Sequence, residues 1–344
     1  MPPKRARAPA MRDVAKLAGV APMTVSRALS GHPSVLAKTR ASVHRAADKL
    51  GYVHNFMAGA LLRRGSKLIS LLVPNVSNSV FAETIFGLEE VLSARGYTLT
   101  IAHTGYSKVR EERQVRTLLG YGPDGVVLTG LTHTRATRLL LKRAGVPVVE
   151  TWNLGPTPID MAVGFSNFEA ARQATHYLIR CGRTRLAYAG GTQTDNDRTA
   201  AREAGFRSAL AEASLAVHEG WIWSRPMEFA SGIDLAKRIA RLKRRPDGIF
   251  AASDIIAAGF ILESRRVGLE VPRDIAVVGF DDAPMAAVIE PSLTTVHVPQ
   301  REIGRLAAEM ILARLAGNPA GPRQHDVGFR IVVRTSTSPA LDGR

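Results

Sequence analysis

The chain has 344 residues, 45% of them hydrophobic and 22% charged, and a formal net charge of +16 at pH 7. Such a length holds two or three domains and a large core, and the composition is that of an ordinary globular protein. One cysteine, Cys181, excludes an intrachain disulfide and a cysteine-cluster metal site, and no run approaches the ~18 apolar residues of a membrane span.

Residues 1–10, MPPKRARAPA, are basic and proline-rich without the apolar run of a secretory signal. They read as a disordered arm drawn to phosphates, on a cytoplasmic protein. In the stretch MRDVAKLAGVAPMTVSRALS (11–30), Val14, Leu17 and Ala18 share one face of a first helix. Gly19 allows the positive φ of a C-terminal cap, and Pro22 opens a second helix. Val25, Ala28 and Leu29 give that helix its apolar stripe and leave Met23, Ser26 and Arg27 on other faces. Two short helices across a tight turn suit a helix-turn-helix, whose second helix enters a major groove, and equally suit any helical hairpin. Charge favours the first: residues 1–65 carry 12 Lys and Arg against Asp13 and Asp48, a local +10. That is the footprint of a phosphate-binding module. A third helix is expected from Ala37 to Leu50, with Val43, Ala46, Ala47 and Leu50 inward and Gly51 closing it.

DVAKLAGVAPMTVSRALSG and AKTRASVHRAADKLGYVHN resemble the DNA-binding headpiece of the LacI/GalR family of bacterial repressors, and the likeness continues through the chain. The resemblance implies that Pro22, Met23 and Arg27 read bases. It implies further DNA contacts from Thr24, Ser26, Thr39, Tyr52 and Asn55. Two family features are missing: the capping Ser or Thr of the second helix is Ala21, and the Ser before the third is Leu36. Each lost cap costs about 1 kcal/mol. Pro22 and Met23 offer no base-directed donor, so direct polar readout falls on Arg27. Residues 55–65, NFMAGALLRRG, are by themselves a weak helix or a plain linker. By resemblance they are a hinge helix, with Leu61 as a minor-groove wedge; Phe56 and Gly59 depart from the pattern.

From Lys67 short apolar runs alternate with helical stretches. LISLLV (68–73) precedes a helix at 81–95, YTLTIA (97–102) one at 111–119, and GVVLT (125–129) one at 136–144. VPVVET (146–151) ends this half. A helix at 169–181 and the strand RLAYAG (185–190) restart the cycle. A helix at 200–213, IFAAS (249–253), a helix to Val267 and IAVVGF (275–280) complete it. Alternating strands and helices mean parallel sheets covered on both faces, and two sets mean two Rossmann-like lobes with a cleft between them. The resemblance implies the same periplasmic-binding-protein-like core, type I. The expected organisation is a headpiece at 11–54, a hinge at 55–65 and a core at 66–344. Within the core, the first lobe takes about 66–163 and 296–325, the second about 164–293 and 326–344.

Ligands in such lobes meet the carboxyl ends of strands. There lie Val80 and Phe81, which suit contact with a sugar ring or a core; Glu150 and Trp152; Ser253 and Asp254; and Asp281, a hydroxyl-binding carboxylate or a helix cap. Arg198 and Arg202, spaced i, i+4, share a helical face. They suit a carboxylate or phosphate, or a solvated pair with Asp195 or Glu203. AGVPVVETW, DMAVGFSNFEAARQ and YSKVREERQVRTLL resemble the gluconate-utilisation branch of the family, which implies a sugar-acid effector.

No phosphate-binding glycine loop, nucleophile elbow or zinc-binding HExxH is present, and the nine histidines are scattered, so neither cofactor nor metal is expected. The expectation is a non-enzymatic, dimeric repressor that binds a pseudo-palindromic DNA operator under control of a small effector, probed against one alternative. That alternative is a sugar-binding or sugar-converting protein of the same core with an accessory DNA-binding domain. The final TSTSPALDGR shows no heptad repeat, so no tetramerising tail is expected.

Overall fold

A computed structural model describes residues 9–52, 65–76, 80–192, 194–318 and 321–337. Two compact units divide between Ser66 and Lys67.

The first unit is three helices: α1 (Met11–Ala18), α2 (Pro22–Leu29) and α3 (Ala37–Leu50). Gly19 and Gly51 take left-handed φ of 68° and 64° and end α1 and α3. Neither Ala21 nor Leu36 provides a side-chain cap. At α1 the Asp13 carboxylate accepts from the Ala10 N–H at 2.7 Å, which restores half of a capping box. The core is Val14, Val25, Val35 and Val43 with four alanines, Ala15, Ala28, Ala46 and Ala47.

The second unit holds two six-stranded sheets. The first contains β1 (Leu68–Val73), β2 (Thr98–His103), β3 (Gly125–Thr129), β4 (Val148–Thr151), β5 (Met161–Gly164) and β11 (Gln324–Asp326), in the order β11-β5-β4-β3-β1-β2, all parallel. The second contains β6 (Leu186–Gly190), β7 (Ile222–Ser224), β8 (Gly248–Ala251), β9 (Ala276–Asp281), β10 (Thr294–His297) and β12 (Arg330–Val332), in the order β12-β10-β9-β8-β6-β7. Only β12 runs antiparallel to its neighbour. Around the first sheet lie α4 (Val80–Ser93), α5 (Lys108–Gly120), α6 (Arg135–Ala144) and α11 (Gln300–Leu315); around the second lie α7 (Asn167–Arg180), α8 (Asp197–Glu212), α9 (Phe229–Ala240) and α10 (Asp254–Ser264). The strands are buried on both faces, as apolar runs such as LISLLV require.

The chain crosses between lobes after β5, after β10 and between β11 and β12. The sequence reading returned the chain to the first lobe at 296, whereas Val296 and His297 still pair with Phe280 and Asp281 in the second sheet. Periodicity did not show β5, β7 or β10 to β12, which are three to four residues long, nor α9 and α11. Among the described residues no helix is long and apolar enough to cross a membrane.

Helices α4 and α11 meet through Gly87 and Gly304. A Cβ on Gly87 would overlap the Arg301 carbonyl, and one on Gly304 the Thr84 carbonyl. Both obstacles are backbone, so neither can yield by a rotamer change. Gly304→Ala is therefore expected to lower stability by about 1–3 kcal/mol through forced separation of the two helices, measured by urea unfolding; an unchanged midpoint would show that the helices part freely.

Candidate functional site

On the headpiece, α2 presents Pro22, Met23 and Arg27 to solvent, while Thr24 and Ser26 are half-buried. Met23 and Arg27 stand i, i+4 on one face. Among the described residues no hydrogen bond or ion pair holds the Arg27 guanidinium. Thr39 is half-buried, and Tyr52 packs against the headpiece core. Asn55 and Leu61, with most of the hinge segment, lie outside the described residues.

In the second unit a narrow cavity of about 20 Å³ lies at the carboxyl ends of the strands of both sheets, beside a larger interlobe cleft of about 640 Å³ that shares Tyr106, Asn196 and Met227 with it. The first lobe lines the cavity with Val80, Phe81, Tyr106 and Trp152; the second with Asn196, Arg198, Thr199, Arg202, Met227 and Asp281. Phe81 and Trp152 meet edge to face at 5.3 Å. Trp152 takes a φ of 72° just after β4. Its indole N–H and the Thr199 hydroxyl are buried without a hydrogen-bond partner among the described residues.

The two arginines differ in what they have left to offer. The Arg202 Nε donates to Asn167 Oδ1 at 2.8 Å and Nη1 to the Ala252 carbonyl at 2.6 Å. Nη2 stands 3.9 Å from Asp281 Oδ1, and the guanidinium lies 3.6 Å from the Phe280 ring centroid. Burial lowers its pKa and Asp281 opposes that. Arg198, at the cavity wall, has one ion pair, Nη1 to Asp197 Oδ1 at 3.1 Å.

Asp197 also clasps the opposite lobe. Its other oxygen accepts from the Leu131 N–H at 2.9 Å and from Asn153 Nδ2 at 2.8 Å. Burial would raise its pKa; the Arg198 charge and these hydrogen bonds hold it below the usual value instead. Gly130, with φ of 88°, permits the approach, since a Cβ there would overlap the Asp197–Arg198 pair. A second clasp joins Lys108 Nζ to Asp195 Oδ1 at 2.9 Å.

Asp281 is buried, with a φ of 112°, and accepts from Ser253 Oγ at 3.3 Å. Burial pushes its carboxyl up to about 6 against the pull of Arg202. Ser253 thus supports Asp281 from behind the lining. Two sequence-derived candidates are corrected. Asp254 turns away from the cavity: it accepts from Thr295 Oγ1 at 2.6 Å and the Ala283 N–H at 2.7 Å, tying α10 to the segment after β9. Burial and the Asp281 charge raise its pKa well above the usual range. Glu150 also lies outside the lining, bound to His133, Arg138 and the Ile159 N–H. Sequence reasoning missed Tyr106, Asn196, Thr199 and Met227. Asn196 and Thr199 sit in the very segment that carries Arg198, whereas Met227 follows a three-residue strand that no periodicity reveals.

A helix-turn-helix on the same chain as a two-lobed core with a cleft between its lobes defines a ligand-responsive DNA-binding regulator. Residues 10–55 match the family model of lacI-family bacterial regulatory proteins, and 175–337 that of the periplasmic binding protein-like domain. The transcriptional regulator GntR of Pseudomonas aeruginosa is 38% identical over 96% of this chain and 96% of its own length. GntR of Escherichia coli K12 is 36% identical over 94% and 97%. The crystal structure of a LacI-family transcriptional regulator from Silicibacter pomeroyi superposes with a TM-score of 0.88 at 31% identity, covering 96% of this chain and 99% of that one. This chain belongs to the LacI family: it is a DNA-binding transcriptional regulator and not an enzyme.

Beneath the first lobe's part of the cavity, His133 is wholly buried between two carboxylates, Nδ1 2.7 Å from Glu111 and Nε2 3.1 Å from Glu150. Arg138 stands 3.6 Å from Glu150. Burial alone would lower the His133 pKa, and the two carboxylates together raise it to about 9. A histidine whose folded pKa exceeds its unfolded value contributes stability below pH 6.5 that is lost as pH rises through about 9. Wild-type thermal stability is accordingly expected to fall across that window more steeply than that of His133→Gln, followed by circular dichroism. Parallel pH profiles would mean that the imidazole is neutral in the fold.

Proposed function

We propose that this regulator is a homodimeric cytoplasmic repressor of a pseudo-palindromic operator whose effector is a sugar acid of the gluconate type. The observation that carries the effector reading is the unequal engagement of the two cavity arginines. Arg202 is anchored by Asn167 and the Ala252 carbonyl with Nη2 turned to Asp281, so it is a brace for Asp281. Arg198 has donors to spare, and a ligand carboxylate beside it would gain charge-assisted hydrogen bonds. Asp281 and Asn196 suit hydroxyls, and Phe81 and Trp152 suit the carbon skeleton. The sequence reading gave the acid to both arginines; the geometry favours Arg198 alone. The GntR name of two relatives points the same way, and the sugar-converting alternative has no such support.

An acid drawn to Arg198 competes with Asp197, the residue that clasps the opposite lobe. Effector and interlobe geometry then share one carboxylate. A ligand that binds one lobe arrangement better than another shifts the population between them, and operator affinity follows.

Two outcomes are expected. Arg27→Ala should cost about 1–3 kcal/mol on the operator and relax the preference at one base pair per half-site, with a far smaller loss on random duplex. Equal losses in a fluorescence-anisotropy titration would reduce Arg27 to a phosphate contact. In calorimetry, Arg198→Ala should weaken gluconate at least tenfold, about 1.4 kcal/mol, and glucose much less. Arg202→Ala should instead weaken both and lower the melting temperature, because it strands Asp281 without its cation. A wild-type protein that binds neutral sugars and ignores every sugar acid would sink the effector assignment.

A further inference from the structure

The second lobe holds another hollow, of about 290 Å³, lined by residues of that lobe alone. Trp223 lines it, is 6% exposed, and has an indole N–H with no acceptor. Ser231, 8% exposed, lines it as well, and its hydroxyl enters no hydrogen bond among the described residues. So do Arg225 and Arg238, both exposed and neither in an ion pair among the described residues. Arg238 lies 5.8 Å from the Trp223 ring centroid. Helix α9 starts at the same place, and its N-cap, Glu228, supplies no side-chain cap, so first-turn N–H groups remain open.

All of these groups donate. Their natural partner is an acceptor-rich anion, and their number exceeds what two carboxylate oxygens absorb, whereas a phosphate brings three oxygens and up to two charges. Two carboxylates, Glu228 and Asp234, share the lining. They would repel a bare anion and call for hydroxyl donors on the same molecule. Leu235, Ile256 and the indole supply apolar surface for a carbon skeleton.

We propose that this hollow is a second ligand site that takes a phosphorylated polyol, such as a sugar phosphate. The strap 225–228 stands between it and the interlobe cleft: Arg225 and Glu228 line both spaces, and Met227 lines the cleft and the effector cavity. A ligand in the hollow therefore bears on the cavity wall and tunes the effector affinity. The inference stands on this lobe's own residues and does not depend on which effector the cavity takes.

The test is calorimetry on the full chain with glucose 6-phosphate, inorganic phosphate and gluconate. Glucose 6-phosphate is expected to saturate, and inorganic phosphate to bind at least tenfold more weakly. Arg238→Ala should weaken the ester at least tenfold, and Trp223→Phe, which keeps a ring and deletes the N–H, several-fold. Arg225→Gln, on the exposed strap, provides an independent variant should Arg238→Ala fail to fold. Arg202→Ala should leave the ester bound. Absence of saturation, equal affinity for phosphate and its ester, or a loss that follows Arg202 instead of Arg238 and Arg225 would overturn the proposal.

Discussion

The core depends on one buried cation. Arg202 leaves α8 and reaches the ends of two strands, bonding the Ala252 carbonyl after β8, facing Asp281 at the end of β9 and covering Phe280. Burying a guanidinium costs several kcal/mol unless its donors are met, and here Nε and Nη1 are hydrogen-bonded while Nη2 faces the Asp281 carboxylate. Its Nε donates to Asn167, whose Nδ2 in turn donates to the Trp152 carbonyl at 2.7 Å. A chain of hydrogen bonds thus runs from the floor of the second lobe to the aromatic wall of the first. The cavity is shaped around this cation, and two residues that line it, Trp152 and Thr199, carry buried donors without a partner among the described residues.

Beside the apolar cluster the lobes share, in which Phe165 stacks on Phe280 at 6.0 Å, they exchange a few polar contacts. Asp197 accepts from two groups of the first lobe, and Lys108 pairs with Asp195. The Lys108 pair is partly exposed and worth little on its own. Asp197 is different because its hydrogen bonds come from a backbone N–H and an amide and its cation, Arg198, is 7% exposed. Such polar contacts can be remade cheaply, which an allosteric joint requires.

The sequence carried the architecture further than the site. Runs such as LISLLV and IAVVGF are buried on both faces and betray themselves by composition, so both sheets were legible. Three-residue strands such as IWS carry no period, and with β7 unseen, Met227 and the hollow at Trp223 stayed out of view. Spacing put Arg198 and Arg202 on one face correctly yet said nothing of their partners. Asn167 and Ala252 lie 35 and 50 residues from Arg202 in the chain, and only tertiary structure brings them there. Glu150 misled for a related reason: a carboxylate at a strand end suits a ligand or a neighbour, and here the neighbour is His133, 17 residues away.

The headpiece poses the opposite problem, with much of its chemistry legible and little of its stability secured. Half of its eight core residues are alanines, which bury little apolar area each. Two of its three helices start without a side-chain cap, at about 1 kcal/mol apiece. Pro22 offsets part of this at α2 by presetting φ, and Asp13 does the same service for α1 through the Ala10 N–H. The same substitution that removes a cap at Ala21 leaves the exposed entry of α2 apolar, with Pro22 and Met23 ahead of Arg27. Apolar side chains meet a groove by shape and by thymine methyl groups, without hydrogen bonds. With Arg27 as the proposed base reader, selectivity in this headpiece would concentrate in that one guanidinium and in surface fit. Phosphate attraction from a +10 segment supplies the remaining affinity and, by binding only the folded form, stabilises a module whose core is small.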